Sequence, residues 1–334
     1  KDSDGGAWRK RTQHTSWYNE AASATRGSRK EFPSVAVIVS GSDIVTIYDA
    51  DDPALPMWMV FNGASGWLGG NTNFALSAKN GILAAGGNDS NQRLRLVYFL
   101  KDHCEDWATP NAGGGNRASV GNFLARNSQS SAGRTIDSTV GIVNRTINDV
   151  AMTVLPNAPI DAATGLPVPT IAVGTAGGTS VINNDGTVAD VMAGTAAYGV
   201  EFTKDHKLLH TANDANSTFS IHVRSIPSSD TTAPASRKYN HDGGGGFTTP
   251  PISGISNEST SKKLAILPNH TIASATLGSS TTGGKPALNL LQEVASAPTK
   301  GMVAYTTSSY NTGWQNGDIK LATLSDTSTT NVTG

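Results

Sequence analysis

Thr170-Ile171-Ala172-Val173-Gly174, Thr179-Ser180-Val181-Ile182-Asn183 and Thr187-Val188-Ala189-Asp190-Val191 are three short runs separated by two turns. Each run has strand length and β-branched residues, and none is long enough for an amphipathic helix. The separators Ala176-Gly177-Gly178 and Asn184-Asp185-Gly186 supply the glycines and the Asn/Asp side chains that tight hairpins require. The stretch therefore reads as three antiparallel strands in succession.

Units of the same kind recur on both sides. Upstream lie Val35–Val39, Asp43–Tyr48 and Met57–Phe61, then Phe74–Leu76, Gly81–Gly86 and Leu94–Leu100, with a hairpin signal at Asn80-Gly81. A poorly defined unit spans Asn122 to Leu155, with a strand around Asn122–Ala125 and clear periodicity from Asp149. Downstream lie Gly199–Thr203, Lys207–Ala212 and Phe219–Ile226, then Lys263–Leu267, Thr271–Thr276 and Ala287–Val294, and finally Gly301–Thr306 with Gly317–Leu324. Pro110–Gly133 and Ser228–Thr260 are polar excursions. A sheet of three or four short strands has two apolar faces, and radial stacking covers both with neighbouring sheets. The expected fold is an all-β β-propeller of six blades, within a range of five to seven. Its divisions are an N-terminal arm over 1–33, the propeller over 34–326 and a linker over 327–334. A β-sandwich is the alternative, but the strands are too many for one of ordinary size.

Composition agrees. Ser (34), Thr (37) and Gly (36) make up a large share of the 334 residues, and only 15% are charged, which disfavours long solvated helices. With 25 Lys and Arg against 26 Asp and Glu, the net charge of -1 provides no field to gather nucleic acid or anionic lipid. No apolar run approaches the roughly 20 residues of a membrane-spanning helix. The single Cys104 excludes an internal disulfide and a thiolate zinc cluster. The polar ends, Lys1-Asp2-Ser3-Asp4 and Val332-Thr333-Gly334, are those expected of a piece of a longer polypeptide, with a further C-terminal module beyond the linker.

Few side chains suggest chemistry. Asp49, Asp51 and Asp52 crowd hard oxygen ligands into one loop, as Ca²⁺ requires, but lack the glycine and distal Glu of an EF-hand loop. The expected role is a turn in which each Asp bonds the nearby backbone. His206 and His210 are four apart, yet they straddle a turn and a strand and have no third ligand. Gly243-Gly244-Gly245-Gly246 lacks the Lys-Ser/Thr ending of a phosphate loop, and no serine sits in a Gly-x-Ser-x-Gly elbow. Glu is scarce, and the one acidic pair that includes it, Glu105-Asp106, reads as part of a loop beside His103 and Cys104. Paired catalytic carboxylates of the glycosidase kind are thus not evident. No cofactor is implied.

Aromatics mark two candidate surfaces. Trp8, Arg9, Arg11, Trp17 and Tyr18 gather in the arm and are the expected assembly contact, because aromatics and Arg dominate interface cores. Trp67, Trp107 and Trp314 lie in loop-like sequence, where they would stack on sugar rings or plug blade junctions.

Several runs resemble a family of predicted virion proteins of marine bacteriophages. They are Trp8-Arg9-Lys10-Arg11-Thr12-Gln13, Trp17-Tyr18-Asn19-Glu20, Pro33–Val39, Ile47-Tyr48-Asp49 with Asp52-Pro53, Leu55–Phe61, Asn148–Asp161 and Gly317–Ala322. The resemblance touches both ends and the middle, but not 102–133 or 228–261. It implies a non-catalytic tail component, of tail-tip or fibre type, in an extracellular particle. Its partners would be other copies of itself and neighbouring tail proteins, with host-surface glycan a further contact. Lectin-like sandwich modules commonly follow the position of Gly334 in that family. The alternative is a carbohydrate-binding or carbohydrate-cleaving propeller.

Overall fold

The computed structural model describes residues 7–21, 25–62, 66–68, 74–87, 93–108, 117–127, 136–191, 194–213, 219–233, 235, 237–240, 262–267, 271–276, 287–292, 302–307 and 321–324. Among these, the strands form five antiparallel sheets, each built from consecutive strands in chain order. The first contains β1 (Ala36–Gly41), β2 (Ile44–Asp49) and β3 (Met57–Asn62). The second contains β4 (Phe74–Lys79), β5 (Ile82–Gly87), β6 (Leu94–Tyr98), β7 (His103–Trp107), β8 (Arg117–Gly121) and β9 (Ile136–Asp137). The third holds β10 (Ile147–Thr153), β11 (Thr170–Thr175), β12 (Gly178–Ile182) and β13 (Val188–Val191). The fourth has β14 (Val200–Phe202), β15 (Leu208–Asn213), β16 (Phe219–Arg224) and β17 (Arg237–Asn240). The fifth runs through β18 (Lys262–Ile266), β19 (Thr271–Thr276), β20 (Ala287–Gln292), β21 (Met302–Thr307) and β22 (Leu321–Leu324).

A succession of up-and-down meanders is the blade pattern of a β-propeller, and the all-β fold class is the expected one. Five sheets stand where six blades were expected, for two reasons. The indistinct unit over 122–155 is divided: β8 and β9 extend the second sheet, while β10 opens the third. The last pair of runs, moreover, continues the fifth sheet as β21 and β22 instead of starting a new one. The strand anticipated around Asn122–Ala125 is a single 3-10 turn, Phe123–Ala125, whose Phe123 is fully buried. The strand lies just before it, at β8, in the glycine-rich excursion.

Hairpin chemistry follows the sequence. Lys79 pairs with Ile82, leaving Asn80 and Gly81 as a two-residue loop with φ of 51° and 73°. Positive φ at both positions is the type I′ geometry that matches strand twist. Gly86 has a different purpose. A Cβ there would drive into the Ile147 side chain, so glycine permits β10 to pack closely on β5.

The chain separates into two compact units, 1–171 with 182–188, and 172–181 with 189–334. The core of the first is a buried aromatic cluster of Trp17, Trp58, Phe61, Trp67, Phe99 and Phe123. In the second, Leu209, Ile221 and Val223 of the fourth sheet pack with Leu264, Ile272 and Leu291 of the fifth.

Residues 7–33 are integral to the first unit. A six-residue helix, α1 (Ala7–Thr12), brings Trp8 into a stack on Phe32 with ring centroids 5.4 Å apart. Trp17 is completely buried, meets Trp58 edge-on at 5.1 Å and donates its indole N–H to the Phe99 carbonyl at 2.7 Å. Arg26 lies over both Trp17 and Trp58, at 5.2 and 5.3 Å. Trp17 is thus committed to its own chain and is not presented as an assembly contact. Tyr18 is half-buried and packs edge-on against Trp17. Arg9 remains exposed and pairs with Glu31 at 2.5 Å.

Candidate functional site

A cavity of about 340 Å³ opens in the first unit, at the small end of ligand-pocket volumes. Tyr98 and Trp107 of the second sheet line it with Arg117, and Lys101, Asp161 and Asn184 come from loops. From β7 the lining takes Trp107. In β7, His103, Glu105 and Trp107 alternate with Cys104 and Asp106, so the two sets occupy opposite faces. The register sets Tyr98 opposite His103 and Arg117 opposite Trp107.

Glu105 is the centre of that face. It accepts hydrogen bonds from Arg117 Nη2 at 2.6 Å, Tyr98 Oη at 3.1 Å and Trp107 Nε1 at 3.3 Å, with His103 Nε2 at 3.7 Å. Burial alone would raise its pKa, but the hydrogen bonds of His103, Arg117 and Tyr98, with the Arg117 charge, hold it down at about 2. Burial and the adjacent carboxylate push the Tyr98 phenol well above its ordinary range. Arg117 also covers the Trp107 ring, 5.1 Å from its centroid. On the reverse face, Asp106 accepts from Arg95 Nε at 3.0 Å and from Arg93 Nη1 at 2.9 Å.

The rim is similarly self-satisfied. Asp161 pairs with Lys101 and caps its own turn through the Ala163 and Thr164 amides. Asp185 accepts from the Thr187 amide and hydroxyl, at 2.9 and 2.7 Å, and Gly186 takes φ of 86° to close the hairpin. Each of these carboxylates is engaged in an ion pair or a turn.

Glu105 gives a pH prediction. Its folded pKa lies below the ordinary 4.5, so its stabilisation is complete above pH 4.5 and is lost as pH falls through about 2. In urea titrations, Glu105→Gln should remove about 3 kcal/mol from the stability lost between pH 5 and pH 2. An unchanged acid slope would show that the carboxylate is not held by these partners.

Of the anticipated site residues, Trp107 borders this cavity and Trp67 does not. Trp67 is buried against Phe123 at 5.2 Å and Phe61 at 6.4 Å, so it plugs the core and offers no face to a sugar. Trp314 and Gly243–Gly246 lie outside the described residues. The acidic loop behaves as a turn. Asp49 pairs with Arg29, Asp51 accepts from the Ser34 amide and hydroxyl and the Val35 amide, and Asp52 accepts from the Ala54 amide. Among the described residues, no group of three or more His, Cys, Asp or Glu is placed to hold a metal ion. The Glu105 constellation is the feature missed from sequence, although the His103-Glu105-Trp107 alternation signals it.

No protein-family model matches the chain, and no curated protein does. Solved structures show likeness. Kluyveromyces lactis Hsv2 matches at 10% identity and a TM-score of 0.35, over 78% of this chain and 66% of its own length. AztD from Citrobacter koseri, in its apo form, matches at 10% identity and a TM-score of 0.30, over 86% of this chain and 81% of that one. The extracellular domain of the hybrid two component system BT4673 from B. thetaiotaomicron matches at 12% identity and a TM-score of 0.28, over 73% and 37%. At these identities and TM-scores, what those proteins bind or do is not carried over to this chain.

Proposed function

We propose that the chain is a non-catalytic component of a bacteriophage tail, acting in assembly and host-surface contact, as its resemblance to marine phage virion proteins implies. One observation carries the assembly role. Strand β1 lies at the edge of the first sheet, and Val35, Val37 and Val39 in and beside it are 58%, 40% and 50% exposed. Ile44 of β2, opposite Gly41, extends the same apolar face. An exposed apolar edge invites strand pairing or aggregation unless another surface covers it, and a neighbouring tail subunit would do so. The assembly surface then shifts from the buried arm tryptophan to this sheet face.

The non-catalytic part rests on Glu105, Asp161 and Asp185, each spent on internal partners. A second reading, glycan binding in the cavity, rests on Tyr98, Lys101 and Asn184 in its lining, since Trp107, 2% exposed and covered by Arg117, is no freer than Trp67 to stack on a sugar.

Val37→Lys with Val39→Lys in the intact phage tests the assembly role. The double variant is expected to keep the melting temperature of the isolated chain within a few degrees and to reduce its incorporation into purified particles at least tenfold. Undiminished incorporation, or absence of the wild-type chain from particles, would overturn the proposal. Polysaccharide turnover abolished by Glu105→Gln would overturn the non-catalytic part.

A further inference from the structure

The fourth sheet has two unlike faces. Along β15 and β16, Leu209, Ile221 and Val223 alternate with His210, His222 and Arg224, and the first set packs into the apolar core of the second unit. The second set is just as enclosed, at 1%, 4% and 6% exposure. Register places His210 directly opposite His222, with ring centroids 5.0 Å apart, and Arg224 two residues further along the same face. His206, four residues before His210, occupies the preceding turn at φ of 56° and does not join them.

The polar atoms of this face are incompletely satisfied. His210 Nδ1 lies 3.4 Å from Thr179 Oγ1, and His222 Nε2 lies 2.7 Å from Ser220 Oγ. His210 Nε2 and Arg224 Nε and Nη2 are fully enclosed and have no hydrogen-bond partner among the described residues. Guanidinium stays protonated in proteins, and a buried cation is costly unless an anion faces it. The Arg224 pKa is lowered by burial, with no carboxylate among the described residues opposing that effect. Burial, then the charges of His222 and Arg224, hold His210 well below its ordinary range. Two unfilled guanidinium donors and a nearby imidazole nitrogen form a donor set for one compact, multiply accepting anion.

We propose that the His210–His222–Arg224 face of the fourth sheet holds a small inorganic oxyanion of the phosphate or sulfate class, enclosed as a structural ligand. Its enclosure selects a free ion over an anionic group carried on a polymer, which would have to thread into a buried face. Occupancy completes the hydrogen bonds of Arg224 and stabilises the second unit by mass action.

The test uses the full chain after exhaustive dialysis into a zwitterionic buffer with sodium chloride. Inorganic phosphate and, separately, sulfate are titrated at constant ionic strength, with binding read by calorimetry and unfolding by melting temperature. Saturable millimolar or tighter binding is expected, with a melting rise of about 3 °C or more over matched chloride. Arg224→Met should weaken binding at least tenfold and abolish the rise. Arg224→Lys, which keeps the charge and loses the fork, should weaken binding while preserving the fold. The exposed Arg145→Met should retain both effects. Failure of the wild-type chain to bind either ion, or equal binding by Arg224→Met or Arg224→Lys, would overturn the assignment.

Discussion

Trp17→Ala should be among the most damaging single substitutions in the first unit, costing about 3–5 kcal/mol from lost packing, as large aromatic truncations in cores do. Trp17 touches Trp58, Phe32 and Tyr18, all edge-on, and supports the Arg26 guanidinium above its ring. Its removal also deprives the Phe99 carbonyl of a buried donor, adding about 1–3 kcal/mol where water does not reach that oxygen. The expected readout is a melting temperature lower by roughly 10 °C or more, since each kcal/mol shifts the midpoint of a unit this size by about 2–4 °C. Trp17→Phe should recover much of the packing but not the Phe99 hydrogen bond, and fall between the two. The experiment also tests the placement of the arm. A contact reserved for another subunit would leave the melting temperature of the isolated chain unchanged and would lower only its assembly.

The contrast between Trp17 and the hairpins shows which parts of the architecture are legible in the chain. Asn80-Gly81 and Asn184-Asp185-Gly186 are local devices, since the residues that need positive φ are those that tolerate it. The position of Trp17 is decided by Phe99 and Trp58, far along the chain, and residues 13–20 carry no periodic pattern that announces it. Strand β8 has the same character. Arg117-Ala118-Ser119-Val120-Gly121 is weakly patterned, and its pairing with β7 and the Arg117–Glu105 ion pair make it a strand. Composition marks His103-Cys104-Glu105-Asp106-Trp107 as a loop because charged residues are depleted from strands, yet each charge here meets an arginine from a neighbouring strand or the loop before it. Reading the same five residues with period two separates Glu105 from Asp106 and brings Glu105 onto the Trp107 face, where Arg117, Tyr98 and Trp107 donate to it. The fourth-sheet histidines are instructive in the same way: four-residue spacing draws attention to His206 and His210, whereas antiparallel register unites His210 with His222.

Arg126→Met is expected to cost about 3–5 kcal/mol, because it strands a buried carboxylate. Arg126 and Glu20 form an ion pair whose side chains are each only 4% exposed. The same guanidinium donates to the Phe123 carbonyl at 2.9 Å, to the Val60 carbonyl at 3.2 Å and to Thr25 Oγ1 at 3.0 Å. One side chain therefore joins the N-terminal segment, β3 and the 3-10 turn after β8. Glu20 has a second cation in range: burial lowers the pKa of Arg26, the Glu20 charge partly opposes that, and the result is about 10. Removal of Glu20 alone should consequently disturb two arginines, and Glu20→Gln should cost less than Arg126→Met because the amide retains an acceptor. A double-mutant cycle in urea separates the ion pair from the backbone bonds. The Glu20→Met, Arg126→Met double variant no longer buries the lone carboxylate and should be more stable than Arg126→Met alone, giving a coupling of about 1–3 kcal/mol. It should remain below wild type, because the Val60 and Phe123 carbonyls lose the guanidinium hydrogen bonds, the Phe123 carbonyl keeping only the Arg126 amide. Full additivity of the two substitutions would mean that the residues act separately, and the N-terminal segment would then be held to the first unit by aromatic packing and by its other polar contacts, such as the Trp17 bond to Phe99 and the Ser16 bonds to Asp102.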